Sequence, residues 1–401
     1  MKLRNQLLAL ACLFAFLAIG VLYFNRWVVQ KPFGIILILG DTLTGQQLAA
    51  ARLYSGGADE KLSLEEKLKH TAVVRASAND YAVPDSAAAA TALATGRRTN
   101  NGVVARSPRD EPLESLLAKA RAAGRSIGVV TNATLADPGM APFIAQAADA
   151  KDADNLIAQL VDKTKPDVAL GGGAHLFLPE GKNGKRKDGR DLLLELKERG
   201  DRIVRTEKEL ESAIPLGIGG FYGLFADAEM PYASESEALA QPTLSDLVRR
   251  AIQFLQFNTR GYVLIIDAGL ITRAASFNEG EKVLSETIEL DRAIRTAAAY
   301  AGDKTLIVAT ARTGIGGLAL NGYPLRQDHG LALTGKNAFG NPSLTWASGP
   351  STKENEPAAF QSEAAVPIAT DVIAAATGPG SEAITGFLDQ TDIHEFLRSK
   401  L

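Results

Sequence analysis

Hydrophobic and polar positions along this chain alternate between two rhythms. Residues 34–39 form an unbroken apolar, β-branched run that stops at Gly40-Asp41, the pattern of a strand buried on both faces with a carboxylate at its C-terminal end. Segments 126–132, 262–267 and 305–310 repeat that grammar. Between them, 114–123, 243–256 and 282–301 carry apolar residues at helical spacing. Alternating strands and helices predict an α/β fold, with a central, mostly parallel sheet covered by helices on both faces. In such a sheet the residues just beyond the strands gather at one edge, where ligands bind. Segments 181–190 and 349–356 are polar and glycine-containing, and read as exposed loops. Nothing cuts residues 32–401, so they are expected to form one domain.

A third pattern occupies the N-terminus. Residues 7–24 are apolar throughout, with Lys2 and Arg4 before them and Asn25, Arg26 and Trp27 after. The run is long enough to span a bilayer. It exceeds the core of a typical cleaved signal and ends without a small-x-small site, so an uncleaved signal anchor is expected. Cys12 sits too early, and Ala9-Leu10-Ala11 is a poor match, for a lipoprotein site. Residues 1–31 are therefore read as anchor and short linker, with the domain on the periplasmic or extracellular side.

Composition narrows the function further. The 401 residues hold 43 Lys and Arg against 46 Asp and Glu, a net charge of -3, scattered along the chain, which gives no reason to expect a nucleic-acid partner. Cys12 is the single cysteine, so the domain has neither disulfides nor thiol chemistry.

Residues 85–96, Asp-Ser-Ala-Ala-Ala-Ala-Thr-Ala-Leu-Ala-Thr-Gly, place one hydroxyl at the start of a small-residue helix. Asp85 follows Pro84 as a cap, and Ser86 falls in the first turn, where free N–H groups attract an anion. Taken alone, the run fits an ordinary capped, alanine-rich helix better than a nucleophile's seat.

Several segments together resemble the alkaline phosphatase family. Ile35 to Asp41 looks like its opening strand with a metal-binding Asp. The 85–96 run is similar to its nucleophile segment, and Thr99-Asn100-Asn101-Gly102 to the continuation. Asp167-Val168-Ala169-Leu170-Gly171-Gly172-Gly173, Gly223-Leu224-Phe225, Glu286-Thr287-Ile288-Glu289-Leu290-Asp291, Gly378-Pro379-Gly380 and Thr391-Asp392 follow in the family's order. The resemblance implies an alkaline-phosphatase-like sandwich, a Ser nucleophile at Ser86, two zinc ions, a magnesium, an Arg that clamps phosphate, and often a homodimer. It places candidate magnesium ligands at Asp41, Asp137 and Asp267, oxygen donors that suit a hard cation. Pro138-Gly139 stands where the family often carries a hydroxyl residue.

The zinc positions depart from the family. Thr272, Ser276 and Pro367 stand at those of the first zinc, while Arg312 and Thr313 replace the Asp and His of the second. Ala150, with Lys151 beside it, stands where the clamping Arg is expected. His70, His175, His329 and His394 occupy none of these positions. A zinc site needs about three N, S or carboxylate ligands, so zinc is not expected.

Two readings follow. In one, the chain is a membrane-anchored pseudophosphatase, or a severely impaired phosphomonoesterase, with Arg312 beside Asp41 in the vacated second zinc position. There Arg312 either contacts a phosphate- or sulfate-type oxyanion or makes a structural ion pair. The alternative is an active phosphoric or sulfuric monoester hydrolase using Ser86, Arg312 and one magnesium.

Overall fold

A computed structural model describes residues 2–23, 33–215, 219–321, 335–336, 339–350 and 356–401. Its strands, in chain order, begin with β1 (Gly34–Gly40), β2 (His70–Arg75), β3 (Ser126–Thr134), β4 (Val168–Gly172) and β5 (Arg202–Val204). β6 (Phe221–Leu224), β7 (Tyr262–Ala268), β8 (Leu306–Thr310), β9 (Gly314–Ile315) and β10 (Ala319–Leu320) follow. The last are β11 (Leu344–Gly349), β12 (Ala358–Gln361), β13 (Pro367–Ile368), β14 (Val372–Thr377) and β15 (Gly386–Asp389).

Ten of these form one sheet in the order β15-β2-β14-β8-β1-β7-β3-β4-β6-β5. β14 alone runs against its neighbours β2 and β8. Every residue of β1 and β7 is buried; since successive side chains point to opposite faces, both faces of the sheet centre are covered. The mostly parallel α/β arrangement expected from the rhythm of the sequence is the fold observed.

The helices start where caps are available. Ser115 and Thr243 precede Leu116–Ala122 and Leu244–Leu255, and their hydroxyls accept from Ala118 and Asp246 N–H. The helix Gly280–Ala301 turns Glu286, Glu289 and Asp291 inward, where they accept backbone N–H groups of Ala233, Ser245 and Leu64. The acids of this motif thus tie three neighbouring segments to one helix.

The 181–190 segment is largely exposed, as expected, except at one residue, and residues 351–355 of the other polar segment lie outside the described residues. Arg186 is 1% exposed, because its guanidinium donates to the carbonyls of Asp154 and Leu176 and pairs with Asp188. Glu356 is likewise buried, accepting from Gly280 N–H and Trp346 Nε1.

At the N-terminus, Lys2–Tyr23 forms a helix whose described apolar side chains, Phe14, Phe16 and Ile19 among them, are exposed. Among the described residues no helix is long and apolar enough to cross a membrane. The expected linker, residues 25–31, lies outside the described residues, as does His329.

Candidate functional site

Strand register brings the candidate residues together. β1 lies between β8 and β7, and β3 flanks β7. Leu39 is level with both Thr310 and Asp267, and Asp267 with Thr131. Asp41 leaves the end of β1, Asp267 sits one residue before the end of β7, Arg312 follows β8 by two residues, and Asp137 lies in the turn after β3. Four separate chain segments therefore deliver three carboxylates and one guanidinium to the C-terminal edge of the sheet.

Arg312 is the centre of the cluster. Its side chain is fully buried, as are those of Asp41 and Asp267. Nε donates to Asp41 Oδ1 at 2.8 Å, and Nη2 to Thr272 Oγ1 at 3.2 Å. Nη1 lies 2.9 Å from Asp267 Oδ1 and 3.7 Å from Asp137 Oδ1, at the half-buried rim. The remaining oxygens are also held: Thr272 donates to Asp41 Oδ2 at 2.5 Å, and Thr131 to Asp267 Oδ2 at 2.9 Å.

Burial pushes the Asp267 carboxyl up to about 7, against the pull of Arg312. Burial also works against the charge on Arg312, but Asp267, Asp41 and Asp137 together raise its pKa above the ordinary value. The cluster therefore holds one firmly protonated cation among carboxylates, with burial resisting the ionisation of Asp267.

One backbone feature makes room for the guanidinium. Gly139 packs so closely that a Cβ there would lie 1.2 Å from Nη1. Its N–H donates to Asp137 Oδ1 at 2.8 Å, orienting that carboxylate as well. From the other side, Gln390 Nε2 donates to the Arg312 carbonyl at 2.6 Å. Next to Asp41, Thr42 has φ 61, a strained conformation for a β-branched residue. Its N–H donates to the Thr313 carbonyl at 2.9 Å, and its hydroxyl pairs with Gln47.

The other zinc-position residues have structural partners. Ser276 Oγ donates to the Thr272 carbonyl of its own helix at 2.8 Å. Pro367 pairs with Ile315 between β13 and β9, and buried Thr313 directs its hydroxyl at the Gly314 carbonyl. Ala150 is buried while Lys151 is exposed.

These donors do not fit a bound divalent ion. A guanidinium fills the space between Asp41 and Asp267, and Thr272, Ser276, Thr313 and Pro367 supply no thiolate, imidazole or carboxylate. Among the described residues no group of three or more His, Cys, Asp and Glu could hold a metal.

Ser86 opens the helix Ser86–Thr95, whose remaining residues are all buried. Asp85 is fully used as its cap: Oδ1 accepts from Ala88 N–H at 2.8 Å and Oδ2 from Gly102 N–H at 2.6 Å. Asn101 accepts from Asp85 N–H in return. His394 packs at the far end of this helix, held by the Leu93 carbonyl and Lys119 Nζ, and burial pushes it down to about 4. Neither residue is placed to take a proton from Ser86.

Thr131 and Gln390 carry parts of this cluster that the sequence does not single out, and Gly139 is marked there only as a departure from the family. The Asp-Pro-Gly turn at 137–139 holds a usable signal for Gly139. A glycine replacing a hydroxyl residue beside a candidate ligand marks space given to another group.

Comparisons with known proteins agree with the fold. The chain is 27% identical over 429 residues to alkaline phosphatase H of Pseudomonas aeruginosa, covering 93% of this chain and 86% of that one. It is 28% identical over 437 residues to an alkaline phosphatase of Gadus morhua, covering 91% and 90%. Among solved structures, the alkaline phosphatase of the Antarctic bacterium TAB5 superposes with a TM-score of 0.75 at 23% identity, over 92% of this chain and 98% of that one. A TAB5 variant with Mg bound in its M3 site superposes at 0.72 with 22% identity, again over 92% and 98%. The family model described as Alkaline phosphatase matches residues 34–401, and the chain belongs to the alkaline phosphatase family.

Proposed function

We propose that this protein is a membrane-anchored pseudophosphatase, an alkaline phosphatase scaffold whose metal centre has been replaced by the side chain of Arg312. The single observation that carries the reading is the buried guanidinium within 2.8–2.9 Å of Asp41 and Asp267. Those are two of the three carboxylates that would otherwise take magnesium. With Asp137, they neutralise a cation that the chain itself supplies.

The chemistry supports a loss of turnover. A serine hydroxyl is a weak nucleophile near neutral pH unless a base or metal lowers its pKa. Metal binding takes a water from about 15.7 to roughly 7; one guanidinium with all three nitrogens facing protein groups supplies no such effect at Ser86. The magnesium-dependent hydrolase reading needs the space that Arg312 fills. The oxyanion reading of Arg312 needs free donors; Nε and Nη2 are committed to Asp41 and Thr272, and Nη1, which makes no hydrogen bond, is buried 2.9 Å from Asp267, so the ion-pair role is preferred. The retained role is one of binding or support at a membrane, with the apolar sequence run at 7–24 read as the anchor and the domain outside.

The test is hydrolysis of a phosphate monoester by the full-length protein in detergent, with zinc and magnesium added, beside Ser86→Ala. Equal background rates for both are expected. Metal-dependent turnover that disappears in Ser86→Ala overturns the proposal.

A further inference from the structure

The end of the sheet opposite Arg312 carries a different surface. β1 begins just after Phe33, whose carbonyl accepts from Arg125 Nη1 at 3.2 Å, with the Arg125 guanidinium stacked 4.8 Å over the Phe33 ring. Arg260 lies against Gly124, close enough that a Cβ there would meet its Nη1 at 2.4 Å. Asn258 Nδ2 ties the same loop to the Gly124 carbonyl at 3.0 Å. Arg121 reaches the Lys165 carbonyl at 2.6 Å. Arg121, Lys165 and Arg260 are exposed, and beside them Phe257 is 61% exposed. The acids nearby, Asp167 and Asp201, are already paired, with Arg121 and Arg199.

Chain connectivity points this face at the bilayer. Nine residues, 24–32, join the Lys2–Tyr23 helix to Phe33, and fully extended they reach about 30 Å. The domain is thus tethered by the edge that bears the cations and Phe257. β1, seven residues long, carries the chain about 23 Å to the opposite edge at roughly 3.3 Å per residue.

We propose that the Lys165, Arg260 and Phe257 face rests on an anionic lipid surface, so that the Arg312 centre is held away from the membrane. This rests on the reading of the apolar run at 7–24 as the anchor. Cations next to an anionic leaflet gain about 1 kcal/mol each, about fivefold in association. An exposed aromatic among them adds an amphipathic contact at headgroup depth.

The test uses full-length protein in phosphatidylcholine vesicles with and without phosphatidylglycerol, read by amide hydrogen exchange of residues 256–261. Slower exchange is expected only with phosphatidylglycerol. Lys165→Glu with Arg260→Glu should abolish the slowing, at least about 25-fold in association from two cations lost, while exchange in β1 stays unchanged and shows the fold intact. Phe257→Ser should reduce the slowing in part. Equal exchange in both vesicle types overturns the proposal; so does protection that follows protein density instead of lipid, which assigns the face to a second copy. Flotation with phosphatidylcholine alone in about 1 M salt, where the Debye length is about 3 Å, reports the anchor separately. Loss of flotation there, with protection by phosphatidylglycerol retained, removes the anchor reading and leaves the lipid face standing.

Discussion

Replacing Arg312 by Ala tests the cluster most informatively. The variant removes the cation that faces Asp41 at 2.8 Å and Asp267 at 2.9 Å, both fully buried. Breaking a buried pair by deleting one partner costs about 3–5 kcal/mol. Here two buried carboxylates lose the same partner, so the upper end applies. The loss should depend on pH, because the uncompensated carboxyls can take up protons in acid but stay charged in base. The assay is urea unfolding of the full-length protein in detergent at about pH 5.5 and about pH 8, with magnesium or a chelator. The wild type should be indifferent to both additions. In Arg312→Ala the vacated space lies between three carboxylates, so magnesium at about 100-fold its dissociation constant should restore about 2.7 kcal/mol. A wild type destabilised by chelation, or a variant as stable as wild type at the higher pH, would show that Arg312 does not compensate these carboxylates.

Further predictions follow from the same contacts. Gly139→Ala places a Cβ where Arg312 Nη1 sits; it should cost about 3 kcal/mol in urea unfolding, and much less in an Arg312→Ala background, because the two changes share one space. Thr272→Val removes the hydroxyl that donates to Asp41 and accepts from Arg312, and should lower stability by about 1–2 kcal/mol. Burial raises the Glu286 carboxyl from 4.5 to about 7. The folded state therefore keeps a proton that the unfolded chain has released between those values, and stability present below the lower one is lost as pH rises to the higher. Glu286→Gln should flatten that decline while losing one of the two hydrogen bonds that the carboxylate accepts from Ala233 and Asn132, read as the slope of the urea midpoint against pH.

Convergence of the cluster was legible in the sequence, because strand ends were. Apolar runs ending at Asp41, Asp267 and Thr310 place their following residues at one edge of a parallel sheet whatever the connecting loops do. Arg312 inside a carboxylate cluster could be anticipated from the family resemblance, which sets it beside Asp41 at an expected metal-ligand position. Less legible were the residues whose role depends on distance across the fold. Gly139 acts through a space that Arg312 enters from β8, and Gln390 reaches the Arg312 carbonyl from the C-terminal helix. Arg186 looked like a loop cation, because nothing local marks the carbonyls of Asp154 and Leu176 that draw it inside.

On the proposed function, Arg312 stands in the place of bound metal. Elemental analysis by plasma mass spectrometry of the full-length protein, incubated with zinc and magnesium and then freed of unbound ions, tests it most directly. No stoichiometric metal is expected in the wild type. A full equivalent of zinc or magnesium per chain would contradict it.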